Sequence, residues 1–173
     1  IGNRIDYGSS MSGNRRIYAD KWRALEQKAG EGRKIRCLVA REQARERFLR
    51  GDVGAAVDLG LTAIRNCPAD PGAYHDLADH LIQAGRFQEA LDVLREAPPA
   101  PAVAERSVLE ALARNGLDER IPAAALADRA LAADSACARA LNLKGVLAFQ
   151  RGANDEATSF FEKAAEADPS WGE

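Results

Sequence analysis

A glycine-centred turn recurs along this chain at the spacing of a helical hairpin. Gly51 in "LRGD" and Gly85 in "QAGR" stand 34 residues apart, and Gly152 in "QRGA" closes the same kind of stretch near the C-terminus. Beyond each turn, alanines hold matching places: Ala56, Ala90, Ala123 and Ala157, then Ala63, Ala97, Ala130 and Ala164. Helical stretches flank each glycine, as in "ADPGAYHDLADHLIQAGRFQEALDVLREAP", with no strand-like run between them. The period predicts four helix–turn–helix units, over about 37–70, 71–103, 104–137 and 138–171. Two of them end in "CPADP" and "EADPS", where proline stops a helix.

Small residues at one register have a physical reason. Paired helices interlock their side-chain ridges only at close approach, and alanine permits this without the helix-breaking cost of glycine. One hairpin cannot bury its apolar face, but a stack of hairpins makes a continuous core. The composition suits this, since apolar residues make up 46% of the chain, much of that is alanine, and aromatics are only 6%. The third unit fits least well. Its turn, "RNGLDERIP", reads as longer and more polar than "AGR". Pro122 is expected to open its second helix, and Val103, Leu109 and Leu112 keep the helical period in its first.

Residues 1–33 are set apart from the repeats at 34–173. The first fourteen, "IGNRIDYGSSMSGN", read as a loop. Asn14 is placed to cap a short helix through about Lys28, carrying Ile17, Trp22 and Leu25. The glycines of "AGEGR" are expected to break it.

The residues at fixed places in each unit carry a family resemblance. The period, the small residue at the eighth position and the alanines at the twentieth and twenty-seventh resemble the tetratricopeptide repeat (TPR). In the second unit the matching residues are Tyr74, Leu77, Ala78, Leu81, Ala90, Leu94 and Ala97. In the fourth they are Leu141, Gly145, Ala148, Ala157, Phe161, Ala164 and Pro169. The first unit keeps Ala44, Ala56, Ala63 and Pro68 but departs at Arg47 and Gly60, where a large residue is usual. The third keeps Ala111, Ala123, Ala127 and Ala130 but has Arg114 in place of an aromatic. The resemblance implies an all-α, right-handed superhelical solenoid of antiparallel helix pairs, its inner face lined mainly by the first helix of each pair. A second stretch, "YGSSMSGNRRIYADKW", resembles the tail of a family-2-type glycosyltransferase domain through Asn14, Arg15, Arg16, Tyr18, Lys21 and Trp22. None of that family's catalytic carboxylates can be placed here. The ending "DPSWGE" resembles the start of a further repeat.

Chemistry is sparse. No GxSxG, Walker or GxGxxG motif occurs. His75, Asp76, Asp79 and His80 share a helix but lack the further histidine or cysteine that a tetrahedral metal site needs, and they read as an exposed polar face. Cys37, Cys67 and Cys137 are odd in number and follow no CxxC spacing, so they read as small, mostly buried thiols. Acidic pairs at Asp118–Glu119 and Asp155–Glu156 fall at helix starts or turns, where the helix dipole accounts for them. Neither cofactor, metal nor active site is expected. Charge is uneven: residues 1–50 hold 13 Lys/Arg and 6 Asp/Glu, and residues 51–173 hold 11 and 20. The basic section lacks the stacking aromatics of a nucleic-acid binder. With neither a secretory pattern nor a bilayer-spanning apolar run, the expected setting is cytoplasmic.

The repeat register names an inner groove. Unit one offers Leu38, Arg41, Arg45, Phe48 and Leu49, and unit two His75, Asp79, Ile82 and Gln83. Unit three offers Glu105, Val108, Leu112 and Asn115, and unit four Arg139, Asn142, Val146, Phe149 and Gln150. Apolar anchors mixed with charges and amides suit a protein or peptide ligand. One TPR subgroup clamps a terminal carboxylate with a lysine and asparagines, but this chain has Arg41, Arg45 and Leu77 at those places. The expectation is a non-catalytic interaction scaffold. The alternatives are an accessory segment of a larger bacterial glycosyltransferase, or a spacer that associates with itself as a homo-oligomer.

Overall fold

The computed structural model describes residues 7–100 and 103–169, with side chains from residue 27. The described residues form eight α-helices and no strand. They are α1 (Tyr7–Leu49), α2 (Val53–Asn66), α3 (Pro71–Gln83), α4 (Phe87–Glu96), α5 (Val103–Gly116), α6 (Arg120–Ala133), α7 (Ala138–Gln150) and α8 (Asn154–Ala167). Each odd-numbered helix pairs with the next, giving a solenoid of antiparallel hairpins.

Local chemistry sets the ends. Asp52 caps α2 by accepting from the Ala55 N–H at 3.2 Å, and Asp70 caps α3 from the Gly72 N–H at 3.0 Å. Pro71 follows as the first residue of α3, where a missing N–H costs nothing. All four hairpin turns close alike. The N–H groups of Asp52, Arg86, Glu119 and Ala153 donate back five residues, to the carbonyls of Arg47, Leu81, Arg114 and Ala148, at 2.8–3.0 Å. That closure needs one left-handed residue, supplied by Gly51 (φ 82), Gly85 (φ 74) and Gly152 (φ 81).

The third turn corrects the sequence reading. It has the same closure as the others, and its left-handed residue is Asp118 (φ 61), not a glycine. Gly116, within "RNGLDERIP", ends α5 and lies against the Phe87 ring. Side chains brace this turn: Arg114 donates to Glu119 at 2.6 Å, and Arg120 to Asp118 at 2.7 Å. Pro122 does not open α6, which starts at Arg120, but lies in its first turn, where a missing N–H still costs nothing.

A second correction concerns α1. Gly30 and Gly32 do not break it, and the helix runs on from Tyr7 to Leu49. A glycine inside a helix costs only about 1 kcal/mol, and no proline interrupts this stretch. The portion from Cys37 is anchored on α2, so the helix extends from a nucleus that tertiary packing has already formed. Residues 7–14, expected as a loop, belong to α1, so Asn14 lies inside the helix and does not cap it. The roles of Ile17, Trp22 and Leu25 lie outside the described side chains, and most of "DPSWGE", at residues 170–173, lies outside the described residues.

The recurring alanines are where the helices meet. Ala56, Ala63, Ala90, Ala123 and Ala130 are fully buried, and Ala97, Ala157 and Ala164 nearly so. The eighth-position residues Ala44, Ala78, Ala111 and Gly145 are buried too. Between these contacts the core is a chain of small clusters. Leu77, Leu81, Leu94 and Leu109 join hairpins two and three, and Ala111, Ala127, Leu143 and Leu147 join three and four. Each buried leucine contributes about 1.5–3 kcal/mol. Where the first unit has Gly60 in place of a large residue, Leu77 of the next hairpin fills the space: a Cβ on Gly60 would lie 2.8 Å from Leu77 Cδ1.

Curvature follows from which helices touch. Among the described residues α1 packs on α3, α3 on α5 and α5 on α7, whereas α2, α4, α6 and α8 make no packing contact with one another. A stack tight on one side and splayed on the other bends toward its tight side. The odd-numbered helices therefore form the inner wall.

Candidate functional site

The inner wall opens into a cleft of about 500 Å³ between α1 and α3. Leu38, Arg41, Arg45, Phe48 and Leu49 line it from α1, and Asp79 and Gln83 from α3. These are residues that the repeat register names. Glu42, Asp76 and His80 line it as well. The register omits them because it takes only the second, fifth, ninth, twelfth and thirteenth helix positions.

Apolar contact on this wall comes from both ends. Leu38 is 54% exposed, Leu49 75% and Phe149 65%, a large departure from the usual burial of such side chains. Phe48 is half-buried because its ring stacks on His80, with centroids 4.7 Å apart. Ile82, Leu112, Asn115, Asn142 and Val146 are half-buried, while Gln83, Glu105 and Gln150 are exposed.

Two groove assignments need correction. His75 and Val108 are buried, at 3% and 2% exposure, and are not available to a ligand. The reading of His75 and His80 as an exposed polar face fails with them, since His80 is 8% exposed. The cause is the tight inner layer. Phe48 of α1 covers His80, and α5 brings Glu105 against His75. A lone amphipathic helix gives no sign of either cover. The thiols also divide, with Cys37 buried and Cys67 and Cys137 half-exposed.

A line of polar contacts runs across the wall. Arg41 donates to Asp76 at 2.6 Å and to Asp70 at 3.0 Å, tying α1 to α3 and to the loop before it. His75 Nδ1 lies 3.2 Å from a Glu105 carboxylate oxygen, tying α3 to α5. Arg139 of α7 reaches over α5 to Asp79 of α3, and Asp79 also accepts from Gln83 at 2.9 Å. The hydrogen bond from His75 holds the Glu105 carboxyl below its ordinary range against the opposing effect of burial, and the charges of Arg139 and Arg41 add to it. Burial pushes the His80 imidazole the other way, making its cation less favourable, although Asp79 and Asp76 oppose this. The Arg41–Asp76 pair spans one repeat plus one residue. Opposite charges at that separation are a signal the sequence does carry.

The pairing governs what the cleft can bind. Arg41 and Arg139 are already engaged by carboxylates, so an anionic ligand has to compete with them. Arg45 keeps only a 3.9 Å contact with Glu42 and is mostly exposed. Among the described residues no group of three or more His, Cys, Asp or Glu is placed to hold a metal, and no helix is long and apolar enough to cross a membrane.

Solved structures share this architecture. A thermophilic TPR protein from Thermus thermophilus is 26% identical, with 75% of this chain and 73% of that one aligned and a TM-score of 0.66. MamA (residues 41 to the end) from Desulfovibrio magneticus RS-1 is 18% identical, over 90% of this chain and 95% of that one, with a TM-score of 0.62. The first TPR domain of the human RPAP3 protein is 19% identical, over 78% and 93%, with a TM-score of 0.53. At their lower identities the last two show likeness of fold alone. No curated protein sequence matches significantly. The tetratricopeptide repeat profile matches residues 41–104 and 122–170. No match supports the likeness to a glycosyltransferase tail expected at residues 7–22. With most of its length matched by that profile, the chain belongs to the tetratricopeptide repeat family.

Proposed function

We propose that this chain is a non-catalytic scaffold whose inner wall binds a peptide segment of a protein partner, seated chiefly between α1 and α3. The observation that carries the reading is the cleft itself. Leu38, Phe48 and Leu49 offer apolar contact beside Arg45 and Gln83, which have polar groups to spare. Apolar burial supplies the free energy of such a complex, and a few polar groups fix its register. Because Arg41 is committed to Asp70 and Asp76, it acts as a strut that sets the width of the cleft. Among the charged groups here Arg45 is the best placed to meet a carboxylate of the ligand.

Selection of a displayed random-peptide library on the intact chain tests this. Selected peptides are expected to lose at least tenfold in affinity for a Leu38→Asp, Leu49→Asp double variant. They should keep their affinity for Leu61→Asp, which alters an exposed residue of α2 on the outer side. Peptides that bind the double variant as tightly as the parent would remove the assignment and leave a spacer.

A further inference from the structure

Two of the three cysteines meet across the first hairpin. Cys37 of α1 is 1% exposed and packs among Ala40, Ala63 and Ala73. Cys67, the C-terminal cap of α2, packs against the same cluster. The backbone of Cys67 is fixed on both sides. Its N–H donates to the Ala63 carbonyl at 2.9 Å, and its carbonyl accepts from the Asp70 N–H at 3.1 Å. The same two segments are joined again one helical turn along, where Arg41 binds Asp70. Both thiols border an opening of about 520 Å³ whose rim includes Arg33, Lys34 and Asn66. Cys67 is the half-exposed member, so a reagent entering there meets it first. Cys137 belongs to a separate cluster with Val108, Ala130 and Ala140.

We propose that Cys37 and Cys67 are a reversible dithiol–disulfide pair, oxidised through this opening by a peroxide or by a small anionic disulfide. With a peroxide, the Cys67 sulfur attacks one oxygen and the O–O bond breaks. The other oxygen leaves as water, and Cys67 becomes a sulfenic acid. The Cys37 sulfur then attacks the Cys67 sulfur. The S–S bond forms, the S–O bond breaks, and the departing hydroxide takes the Cys37 proton. Two thiols lose two electrons and one hydrogen peroxide becomes two waters. With a disulfide, Cys67 exchanges first and releases one thiol, and Cys37 resolves the mixed disulfide and releases the second. The order follows from burial, which, with Cys67 beside it, pushes the Cys37 thiol up to about 12 and leaves it the resolving partner. Arg33 and Lys34 at the rim favour an anionic disulfide. The crosslink clamps α1 to the link before α3, the segment that also places Asp70 against Arg41.

The test treats the intact chain with hydrogen peroxide or glutathione disulfide and maps its peptides without reduction. The expected product joins the Cys37 and Cys67 peptides and forms equally in Cys137→Ser. Its melting temperature is higher by roughly 5–10 °C, and dithiothreitol reverses the change. Cys37→Ala is expected to stop at a glutathione adduct on Cys67. Should that core substitution unfold the chain, Cys67→Ser, at a half-exposed site, has to lose both the crosslink and the thermal gain. A stable Cys67 adduct in the parent with Cys37 still free, or crosslinks only through Cys137 or between chains, would overturn the proposal. Neither readout uses a partner, so the result is independent of the groove reading.

Discussion

Gly85→Ala isolates the energetics of the hairpin turn. A Cβ built on Gly85 meets nothing within 4 Å, so substitution causes no clash. Its whole cost is the left-handed backbone, at φ 74. For an ordinary L-residue that conformation costs about 1–2 kcal/mol, and the stiffer unfolded chain returns about 0.4–1 kcal/mol. The net expectation is a loss of about 1 kcal/mol, or ~2–4 °C in melting temperature for a chain of this size. Gly54→Ala is the control of opposite sign. It lies in the first turn of α2 with nothing within 4 Å of a built Cβ, and it should gain up to about 1 kcal/mol from helix propensity. Asp118→Gly completes the set, because Asp118 occupies the equivalent left-handed site. Relief of strain there is offset by loss of an exposed contact to Arg120 and by a looser unfolded chain, so the variant is expected between neutral and about 0.5 kcal/mol more stable. Asp118→Ala should destabilise. Thermal and urea unfolding followed by circular dichroism report all four. A Gly85→Ala variant as stabilised as Gly54→Ala would refute the shared turn closure.

Gly60→Leu restores the large residue usual in the repeat. Because Leu77 already fills that space, it should destabilise by about 1–3 kcal/mol in urea unfolding. Burial lowers the His80 pKa below its ordinary 6.5, so the unfolded chain takes up a proton before the folded one does. Stability is therefore full above that value and falls as pH drops below it, by at most about 1.4 kcal/mol per pH unit, and His80→Gln should flatten the slope in a pH series of melts. Glu105 acts in a lower window: its depressed pKa adds stability that is present above 4.5 and lost as pH falls through the lowered value, a loss that Glu105→Gln should abolish in acid titration. A double-mutant cycle on Asp79 and Arg139, whose side chains are 29% and 36% exposed, should give a coupling below about 1 kcal/mol.

Repeated small residues are legible in one dimension because every hairpin obeys the same contact rule. Ala56, Ala90 and Ala157 recur at one register and are buried, so the helix pairs and their stacking could be read from the chain alone. Period also placed Leu38, Arg45 and Phe48 on one wall, since a helical face is a matter of spacing. What spacing could not supply was cover from another hairpin. Phe48 over His80, Glu105 against His75, Leu77 in the gap beside Gly60 and Arg139 reaching Asp79 all join residues from different units. Nor could local propensity decide the course of α1 through Gly30 and Gly32, or the left-handed turn at Asp118. A helix with its C-terminal portion packed tolerates glycines, and a turn closed by its backbone hydrogen bonds holds an aspartate where glycine is usual. Sequence alone determined the repeating unit, because close helix contact demands small residues at fixed intervals. The tertiary structure decided which inner-wall groups stay free, because burial and ion pairing depend on neighbours a full repeat or more away.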